Sequence, residues 1–289
     1  MSRCIGYLGP QGTFSEEAAL LYDSQAELVP FPTISQVANA VAIRQVEEGV
    51  VPIENSIGGS VPETLDLLIQ QPRLFICREV LLPIRLYLLV RPGTEEENIH
   101  TIFSHPQPLA QSQRFLSRYF PDARLMAAPS TAAAVEQMMG DTHGVAAIGT
   151  RRAARMLHAK VLAHRIQDYP VNVTRFVVLD KADHAATGDD RTSLCFSFAE
   201  DKPGQLAAVL QELASQEINM IKIESRPLKK TPGRYYFLVD LEGHRQDAHI
   251  VQSLTYIKSI TILFRIFGSY PRHRSPAPAT RIARRRRCP

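Results

Sequence analysis

Apolar residues follow two alternating patterns over the first 180 residues, and this alternation excludes most fold classes at once. Short continuous apolar runs at 3–8, 27–31 and 50–53 predict buried strands. The segments 15–24 and 34–48 between them carry apolar residues at helical spacing and predict helices. Because strand and helix alternate, we expect an α/β fold with a parallel sheet and helices on its faces.

A second α/β unit follows within the same half of the chain. It begins with an extended segment at 75–90 and continues with alternating strands and helices. The predicted strands are 101–104, 124–127 and 144–148, and the predicted helices are 109–120, 131–139 and 151–158. We expect residues 1–180 to form two lobes around a cleft, a natural place for a binding site. Lobe one is expected at about 1–75 and 165–180, and lobe two at about 76–164.

The pattern changes after 181–191, a polar segment rich in small residues that predicts a linker. The remaining elements read βαββαβ, which is the ferredoxin-like split unit, and we expect this second domain at 192–270. Its predicted strands are 192–199, 218–227, 234–241 and 261–267, and its predicted helices are 203–216, opened by Asp201, and 247–258. The tail 271–289 is rich in Pro, Ala and Arg, and we expect it to be disordered.

Charge, apolar run length and motifs exclude several classes of protein. The net charge is +4, but seven arginines lie in the tail; without them 26 Lys and Arg stand against 29 Asp and Glu, so the body carries −3 and does not predict nucleic-acid binding. The longest apolar stretch, 80–90, contains Pro83 and Arg85 and is shorter than the ~20 residues of a membrane span. With no signal peptide and four scattered cysteines, we expect a cytoplasmic protein with reduced thiols. No phosphate loop, HExxH or GxSxG motif is present, so we expect no metal and no cofactor.

Three loops that follow predicted strands end in small hydroxyl residues that open a helix. They are 9–16, 54–60 and 129–132. Taken singly, each is explained by N-capping and tight turns. Taken together at the carboxyl ends of strands, their free N–H groups suit a small substrate with carboxylates. Thr174 and Arg175 add a hydroxyl and a guanidinium that can hold a carboxylate.

These stretches together resemble the prephenate dehydratase family. The resemblance rests on GYLGPQGTFSE (6–16), VPIENSIGGSV (51–61), TLDLL (64–68), SHPQPLAQ (104–111), STAAA (130–134), AAIG (146–149) and NVTRF (172–176). The second half resembles the ACT regulatory domain through DKPGQLAAVL (201–210), INMIKIESRP (218–227) and YYFLVDLEGH (235–244). The match covers about residues 3–271 in family order.

The resemblance implies conversion of prephenate to phenylpyruvate with loss of water and carbon dioxide, in phenylalanine biosynthesis and without a cofactor. It implies lobes similar to type II periplasmic binding proteins and an allosteric response to L-phenylalanine at ACT domains paired between subunits of a homodimer or homotetramer. No chorismate mutase segment precedes Gly6, which suggests the monofunctional form. Two alternatives stay open, an arogenate dehydratase and a non-catalytic amino-acid-sensing protein.

The resemblance also implies roles for individual residues of the catalytic half. We expect Thr174 to donate a hydrogen bond to the departing hydroxyl and Arg175 to grip the pyruvyl carboxylate, while the ring carboxylate lies in apolar surroundings. The other expected catalytic residues are Asn55, Ser104 and Gln111. The expected substrate-binding residues are Arg175, Thr13, Ser130, Thr131 and Phe176. Without the resemblance, a turn, a cap and a solvated helix residue explain Asn55, Ser104 and Gln111, and Phe176 is expected to pack rather than react.

In the regulatory half, the resemblance implies an effector pocket across a subunit interface. Its expected residues are Gly204, Gln205, Leu206, Asn219, Glu224, Ser225, Arg226 and Pro227. Two positions depart from the family: Gln205 stands where the helix start usually has alanine, and Ser112 stands where cysteine is frequent.

Overall fold

Three β-sheets organise the part of the chain that the structure describes. A computed structural model describes residues 3–141, 144–200, 202–228 and 234–273. Asp201, expected to open a helix, and most of the Arg-rich tail lie outside these residues. The tail was expected to begin at 271, but Arg272 is ordered: its N–H donates to the Asp189 carbonyl at 3.0 Å and its guanidinium lies 2.6 Å from Glu242.

The first lobe is a mixed sheet covered by three helices. Its strands are β1 (Cys4–Leu8), β2 (Glu27–Phe31), β3 (Glu48–Asn55), β4 (Gly59–Ser60), β5 (Phe75–Pro83) and β11 (Val173–Asp180), and its helices are α1 (Phe14–Tyr22), α2 (Ile34–Ala42) and α3 (Pro62–Gln70). The order is β2-β1-β3-β11-β5, with β4 on β3. The pairs within β1–β3 are parallel as predicted, but β11 is antiparallel to both its neighbours. The strand β5 belongs to this sheet, so the predicted lobe boundary at 75/76 is wrong, and α3 was not predicted as a helix.

The start of α2 shows how the sequence fixes a helix boundary. The spacing of Thr33 and Gln36 predicts a capping box, and the Gln36 N–H does donate to the Thr33 hydroxyl at 3.1 Å. Beyond the cap, Ile34, Val37 and Val41 recur at helical spacing and are all buried against the sheet. Cap and apolar stripe together set the start and the orientation of α2.

Replacing Thr33 by alanine is expected to lower the free energy of unfolding by about 1 kcal/mol, because the Gln36 N–H loses its acceptor. Chemical denaturation measures this change. Thr33→Ser keeps the hydroxyl and is expected to stay within about 0.5 kcal/mol of the wild type. Equal losses in both variants would contradict the assignment of the cap.

The second lobe is a smaller mixed sheet in the order β10-β6-β9-β7-β8. Its strands are β6 (Tyr87–Val90), β7 (Thr101–Ser104), β8 (Arg124–Ala127), β9 (Val145–Gly149) and β10 (Lys160–His164), and its helices are α4 (Pro106–Gln111), α5 (Gln113–Tyr119), α6 (Thr131–Gly140) and α7 (Arg151–Met156). The single helix predicted at 109–120 is divided at Ser112, and β10 was not predicted. One core cluster of this lobe includes several small residues, among them Ala134, Ala147 and Ala153, which let helices lie close to strands.

The C-terminal domain has the predicted βαββαβ order. It comprises β12 (Asp190–Ser197), α8 (Gln205–Ser215), β13 (Met220–Pro227), β14 (Tyr235–Glu242), α9 (Ala248–Ile260) and β15 (Leu263–Pro271). Its antiparallel sheet has the order β13-β14-β12-β15. One face of the sheet packs against α8 and α9 through residues such as Val209, Leu213 and Ile250. The other face lies against the first lobe.

The junction between the C-terminal domain and the first lobe is tight and continuous. Tyr270 and Phe267 of β15 share one buried cluster with Ile76 of β5 and Leu179 of β11. At Gly268, where φ is +151°, β15 lies so close to β5 that an added Cβ would overlap the Ile76 carbonyl. At this point β15 therefore packs on β5 with no room for a side chain at position 268. Separately, no helix among the described residues is long and apolar enough to cross a membrane.

Candidate active site

Two chain crossings join the lobes and set the position of the residues around them. One crossing lies between β5 and β6 and the other between β10 and β11. They are tied together where the Ile84 N–H donates to the Asn172 carbonyl at 2.7 Å and the Ile166 N–H donates to the Leu86 carbonyl at 3.1 Å. This double connection is a hinge-like base, and the chain leaves it directly into β11, where Thr174 lies.

Asn55, at the end of β3, is the centre of a polar cluster. Its side-chain oxygen accepts from the backbone N–H groups of Ile57 at 3.0 Å and Gly58 at 2.8 Å, so its amide orientation is fixed by the turn that follows β3. The side-chain Nδ2 then donates to Asn172 Oδ1 and to Thr174 Oγ1, both at 2.9 Å. Asn55 is therefore a turn residue, as its local sequence predicts, and its amide also contacts Thr174.

Thr174 is the group in this cluster with a hydroxyl proton to give. It is half-buried and lies opposite Asn55 in the register between β11 and β3. Because Thr174 Oγ1 accepts the Asn55 hydrogen bond, the hydroxyl hydrogen can point elsewhere. The arrangement therefore presents a polarised O–H donor at the lobe junction.

Gln111 and Asn172 hold Asn55 in place from the other lobe and from the hinge. Asn172 donates to Gln111 Oε1 at 2.9 Å, and Gln111 Nε2 lies 3.4 Å from Asn55 Oδ1. Gln111, expected to be catalytic, is 6% exposed and has both side-chain polar atoms engaged, so in this conformation it supports Asn55. Asn172 was not among the expected site residues. Its position, two residues before Thr174, is the sequence feature that could have indicated it.

Ser104 is fully buried at the end of β7 and donates to the Ile148 carbonyl of β9 at 2.8 Å. In this conformation it ties two strands of the second lobe together. The expectation that it takes part in catalysis stays a prediction.

Thr13, Ser130 and Thr131 lie at the helix starts that the sequence indicated. Thr13 caps α1 by accepting from the Glu16 N–H at 3.4 Å, and Ser130 caps α6 by accepting from the Ala133 N–H at 3.0 Å. Thr131 is buried as the first residue of α6. The loop before α1 and the loop before α6 line one cavity of about 700 Å³.

The loop before α1 also closes the two lobes against each other. Gly12, with φ of +82°, lies so close to α6 and α7 that an added Cβ would be 3.1 Å from Ala153 Cβ. The Thr150 hydroxyl donates to the Gly12 carbonyl at 2.7 Å. Glu16 of the first lobe is buried and forms a bidentate pair with Arg152 of the second, at 2.5 and 2.8 Å. The lobes are therefore in direct polar contact at this end.

The prediction that Arg175 binds a substrate carboxylate is wrong in this structure. Along β11 the side chains alternate, so Arg175 lies on the face of Val177 and Leu179, which pack toward the C-terminal domain, opposite to Thr174. Its Nη1 donates to Asp240 at 2.6 Å, its Nη2 donates to Tyr270 at 2.6 Å, and its Nε lies 2.9 Å from Glu79. Burial alone would lower the pKa of Arg175, but Tyr270 and the carboxylates of Asp240 and Glu79 together raise it above its ordinary value.

Phe176 likewise does not line a binding surface. It is 2% exposed and packs in the core of the first lobe with Val80 and Val178. The prediction that it contacts substrate is corrected to packing, because a side chain buried this deeply has almost no surface with which to contact a ligand. Glu54, which precedes Asn55 on β3, lies 3.0 Å from Lys222 and 3.8 Å from Arg175.

The expected effector residues fall into two groups on separate elements. Gly204, with φ of +89°, is the N-cap of α8; Gln205 and Leu206 follow in the first turn, and the exposed Asn219 lies before β13. On β13, Ser225 and Pro227 are exposed. Glu224 instead accepts from Ser60 at 2.5 Å, and Arg226 lies 3.2 Å from Asp66 of α3.

Comparison with known proteins covers both halves of the chain. Residues 5–184 match the prephenate dehydratase family and residues 194–258 match the ACT domain. The bifunctional chorismate mutase/prephenate dehydratase of Aquifex aeolicus is 38% identical over 93% of this chain and 73% of that protein. Arogenate dehydratase 5 of Arabidopsis thaliana is 35% identical over 94% of this chain and 68% of that protein. The crystal structure of prephenate dehydratase from Arthrobacter aurescens in complex with L-Phe has a TM-score of 0.86 and 34% identity, over 93% of this chain and 90% of that one.

Proposed function

The chain belongs to the prephenate dehydratase family, and we propose that the junction of its two lobes converts prephenate to phenylpyruvate with loss of water and carbon dioxide. The enzyme is a lyase with an ACT domain as its C-terminal part. Beyond family membership, the observation that carries the proposal is the 2.9 Å contact in which Thr174 Oγ1 accepts from Asn55 and keeps its own proton for a ligand.

The chemistry requires little more than a donor and a shaped, partly dry pocket. Prephenate becomes aromatic when its ring carboxylate leaves as carbon dioxide and its C4 oxygen leaves as hydroxide, which takes up one proton to become water. The electron pair of the broken C–C bond enters the ring as the C4–O pair leaves with the oxygen, so no external acceptor is needed. The departing hydroxyl needs a hydrogen-bond donor as negative charge develops on it. Thr174 supplies that donor, and Asn55, held by Asn172 and Gln111, fixes the direction of the hydroxyl.

The substrate carboxylates need other partners than Arg175, which is engaged at the domain junction. We infer that the starts of α1 and α6, with Thr13, Ser130 and Thr131, receive the pyruvyl carboxylate, because free N–H groups and the helix dipole favour an anion there. The ring carboxylate then lies in less polar surroundings, which favours its departure as neutral carbon dioxide. A complex with a substrate analogue tests this placement; a cationic side chain bound to the ring carboxylate would contradict it.

Turnover assays with prephenate and with arogenate decide the substrate. The two differ by an amino group in place of a keto oxygen, so the site must read one atom at the pyruvyl end. We expect formation of phenylpyruvate from prephenate at a higher kcat/KM than formation of phenylalanine from arogenate. Turnover of neither compound would overturn the proposed function in favour of a binding protein.

L-phenylalanine is expected to suppress turnover through the ACT domain, by roughly tenfold at saturation. We infer a homodimer or homotetramer, because membership of the family and the ACT domain imply an effector pocket formed between paired subunits. Assays with L-phenylalanine, with D-phenylalanine as matched control, measure the response, and Glu224→Ala is expected to weaken it. A flat response in both wild type and variant would contradict this regulation.

The expectation of a cytoplasmic protein stays a prediction that cell fractionation tests.

A further inference from the structure

A buried network of charges joins the ACT domain to the catalytic sheet. Arg175 of β11 contacts Asp240 of β14, Tyr270 of β15 and Glu79 of β5. Arg191 of β12 completes it, 2.8 Å from Glu79. Two guanidinium groups thus face two carboxylates, so the network is neutral inside the junction, and every member is at least half-buried. Its position at the junction therefore makes it sensitive to how the two domains are placed.

On the ACT side, the Ser193 hydroxyl holds the two residues that contact Arg175, which are Asp240 and Tyr270. Ser193 of β12 donates to Asp240 at 2.6 Å, and Ser193 and Tyr270 oxygens are 2.5 Å apart. The residues that receive Arg175 are therefore positioned by three strands of one sheet. A shift of that sheet against β5 changes the contacts of Arg175 with Asp240 and Tyr270 together and leaves its contact with Glu79 within the first lobe.

On the catalytic side, Arg175 is the residue that follows Thr174. The pairing of β11 with β3 has a register irregularity between Arg175 and Phe176, so Thr174 and Arg175 pair with Asn55 and Glu54 beyond the regular part of the ladder. Thr174 is thus held by this short paired segment on the β3 side and by its pairing with Leu82 on the β5 side, and the tether of Arg175 acts on the next residue.

A second contact reaches the opposing strand. Lys222 of β13 lies 3.0 Å from Glu54 and donates to Ser60 at 2.6 Å, and Ser60 donates to Glu224 at 2.5 Å. Glu54 directly precedes Asn55. The ACT sheet therefore touches both strands that carry the Thr174–Asn55 pair, one residue away from each.

We propose that Arg175 is a positioning residue that transmits the arrangement of the ACT sheet, through Asp240 and Tyr270, to the orientation of the Thr174 hydroxyl. The proposal rests on the proposed function for its kinetic readout. In the arrangement seen here the tether holds Thr174 Oγ1 at 2.9 Å from Asn55 Nδ2. A different placement of β14 and β15 releases the tether and lets the hydroxyl turn away from the substrate.

The test uses Tyr270→Phe in the full-length protein, because it removes one hydroxyl from the ACT side and leaves both carboxylates paired with Arg175. We expect kcat for prephenate to fall about 3- to 10-fold with KM changed less than twofold, and the L-phenylalanine concentration for half-inhibition to shift at least fivefold. The control Tyr119→Phe removes a hydroxyl from the exposed Tyr119 of α5 and is expected to leave both unchanged.

A double-mutant cycle separates positioning from general destabilisation. In a Thr174→Val background, Tyr270→Phe is expected to change the residual kcat less than about 1.5-fold, since the group it positions is gone. An equal effect in both backgrounds, or no effect on kcat and half-inhibition in the wild-type background, would overturn the proposal.

Amide hydrogen exchange gives a readout that does not need turnover. The Ser56 N–H donates to the Val173 carbonyl at 2.9 Å, and we expect the peptide covering 52–57 to exchange at least fivefold faster in Tyr270→Phe. Unchanged exchange in this peptide overturns the positioning role of Arg175, whether or not the wild type has activity. A wild type that converts neither prephenate nor arogenate overturns only the proposed function.

Discussion

Thr174→Val is expected to lower kcat for prephenate by about 10²- to 10³-fold and to leave KM nearly unchanged. Valine has the shape of threonine, so the packing of β11 is retained and only the hydroxyl is lost. The hydroxyl acts where charge develops on the departing oxygen, which is a transition-state interaction and not a ground-state one. Steady-state formation of phenylpyruvate, compared at matched protein stability, measures the effect.

Thr174→Ser is the matched control for this result. Serine keeps the oxygen that accepts from Asn55 Nδ2 and keeps the proton, so we expect kcat within about tenfold of the wild type. Full turnover in the valine variant would remove Thr174 from the mechanism. A loss in the serine variant as large as that in the valine variant would show that a hydroxyl at this position is not sufficient and would contradict the assignment of the effect to hydrogen-bond donation alone.

A threonine hydroxyl works here as a hydrogen-bond donor because of what surrounds it. Its pKa is too high for it to be an efficient general acid in isolation. The Asn55 amide that donates to its oxygen polarises the O–H bond, and Asn55 is in turn held by Asn172 and by two backbone N–H groups. The donor is therefore oriented before the substrate arrives, which is the condition under which such a contact lowers a barrier.

Much of the fold could be predicted from periodicity. The runs that became β2, β7 and β8 have the predicted bounds, because buried strands are short apolar segments between turn residues. The direction of β11 could not be predicted, since the same apolar run fits a parallel or an antiparallel neighbour. The assignment of 75–83 to the first sheet depends on contacts with a strand nearly a hundred residues later, which no local pattern encodes.

A site residue could be predicted only where its local sequence or the resemblance to the family indicated its role. Asn55 lies where the turn after β3 requires it. The sequence alone could have corrected the prediction for Arg175. Side chains alternate along a strand, so Thr174 and Arg175 point to opposite faces and cannot both face one ligand pocket. What no pattern indicated is that the face of Arg175 is covered by a second domain with Asp240 placed to receive it.

The charges at that junction are costly to bury and are tolerated because each has a partner. The side chains of Glu79 and Arg175 are 2% and 9% exposed. Burial raises the pKa of Asp240, but Arg175, the Ser193 hydroxyl and Arg191 together lower it below its ordinary value. Such a group favours the folded state above its ordinary pKa, and the contribution is lost as the pH falls through the lowered value. The network therefore gives orientation more than net stability, and its integrity depends on every member.

Arg175→Met is therefore expected to destabilise the protein by about 3–5 kcal/mol, because Asp240 and Glu79 remain buried with too little positive charge. For a chain of this size the melting temperature should fall by roughly 6–10 °C, as calorimetry would measure. Arg44→Met is the matched control: Arg44 pairs with Asp180 at the far end of β11 but its side chain is 54% exposed, so we expect a change within about 0.5 kcal/mol. Because methionine fills most of the volume of arginine, the difference between the two variants isolates charge burial from packing. A loss below 1 kcal/mol at Arg175 would mean that water reaches the junction and that Arg175 is not the tether of β11.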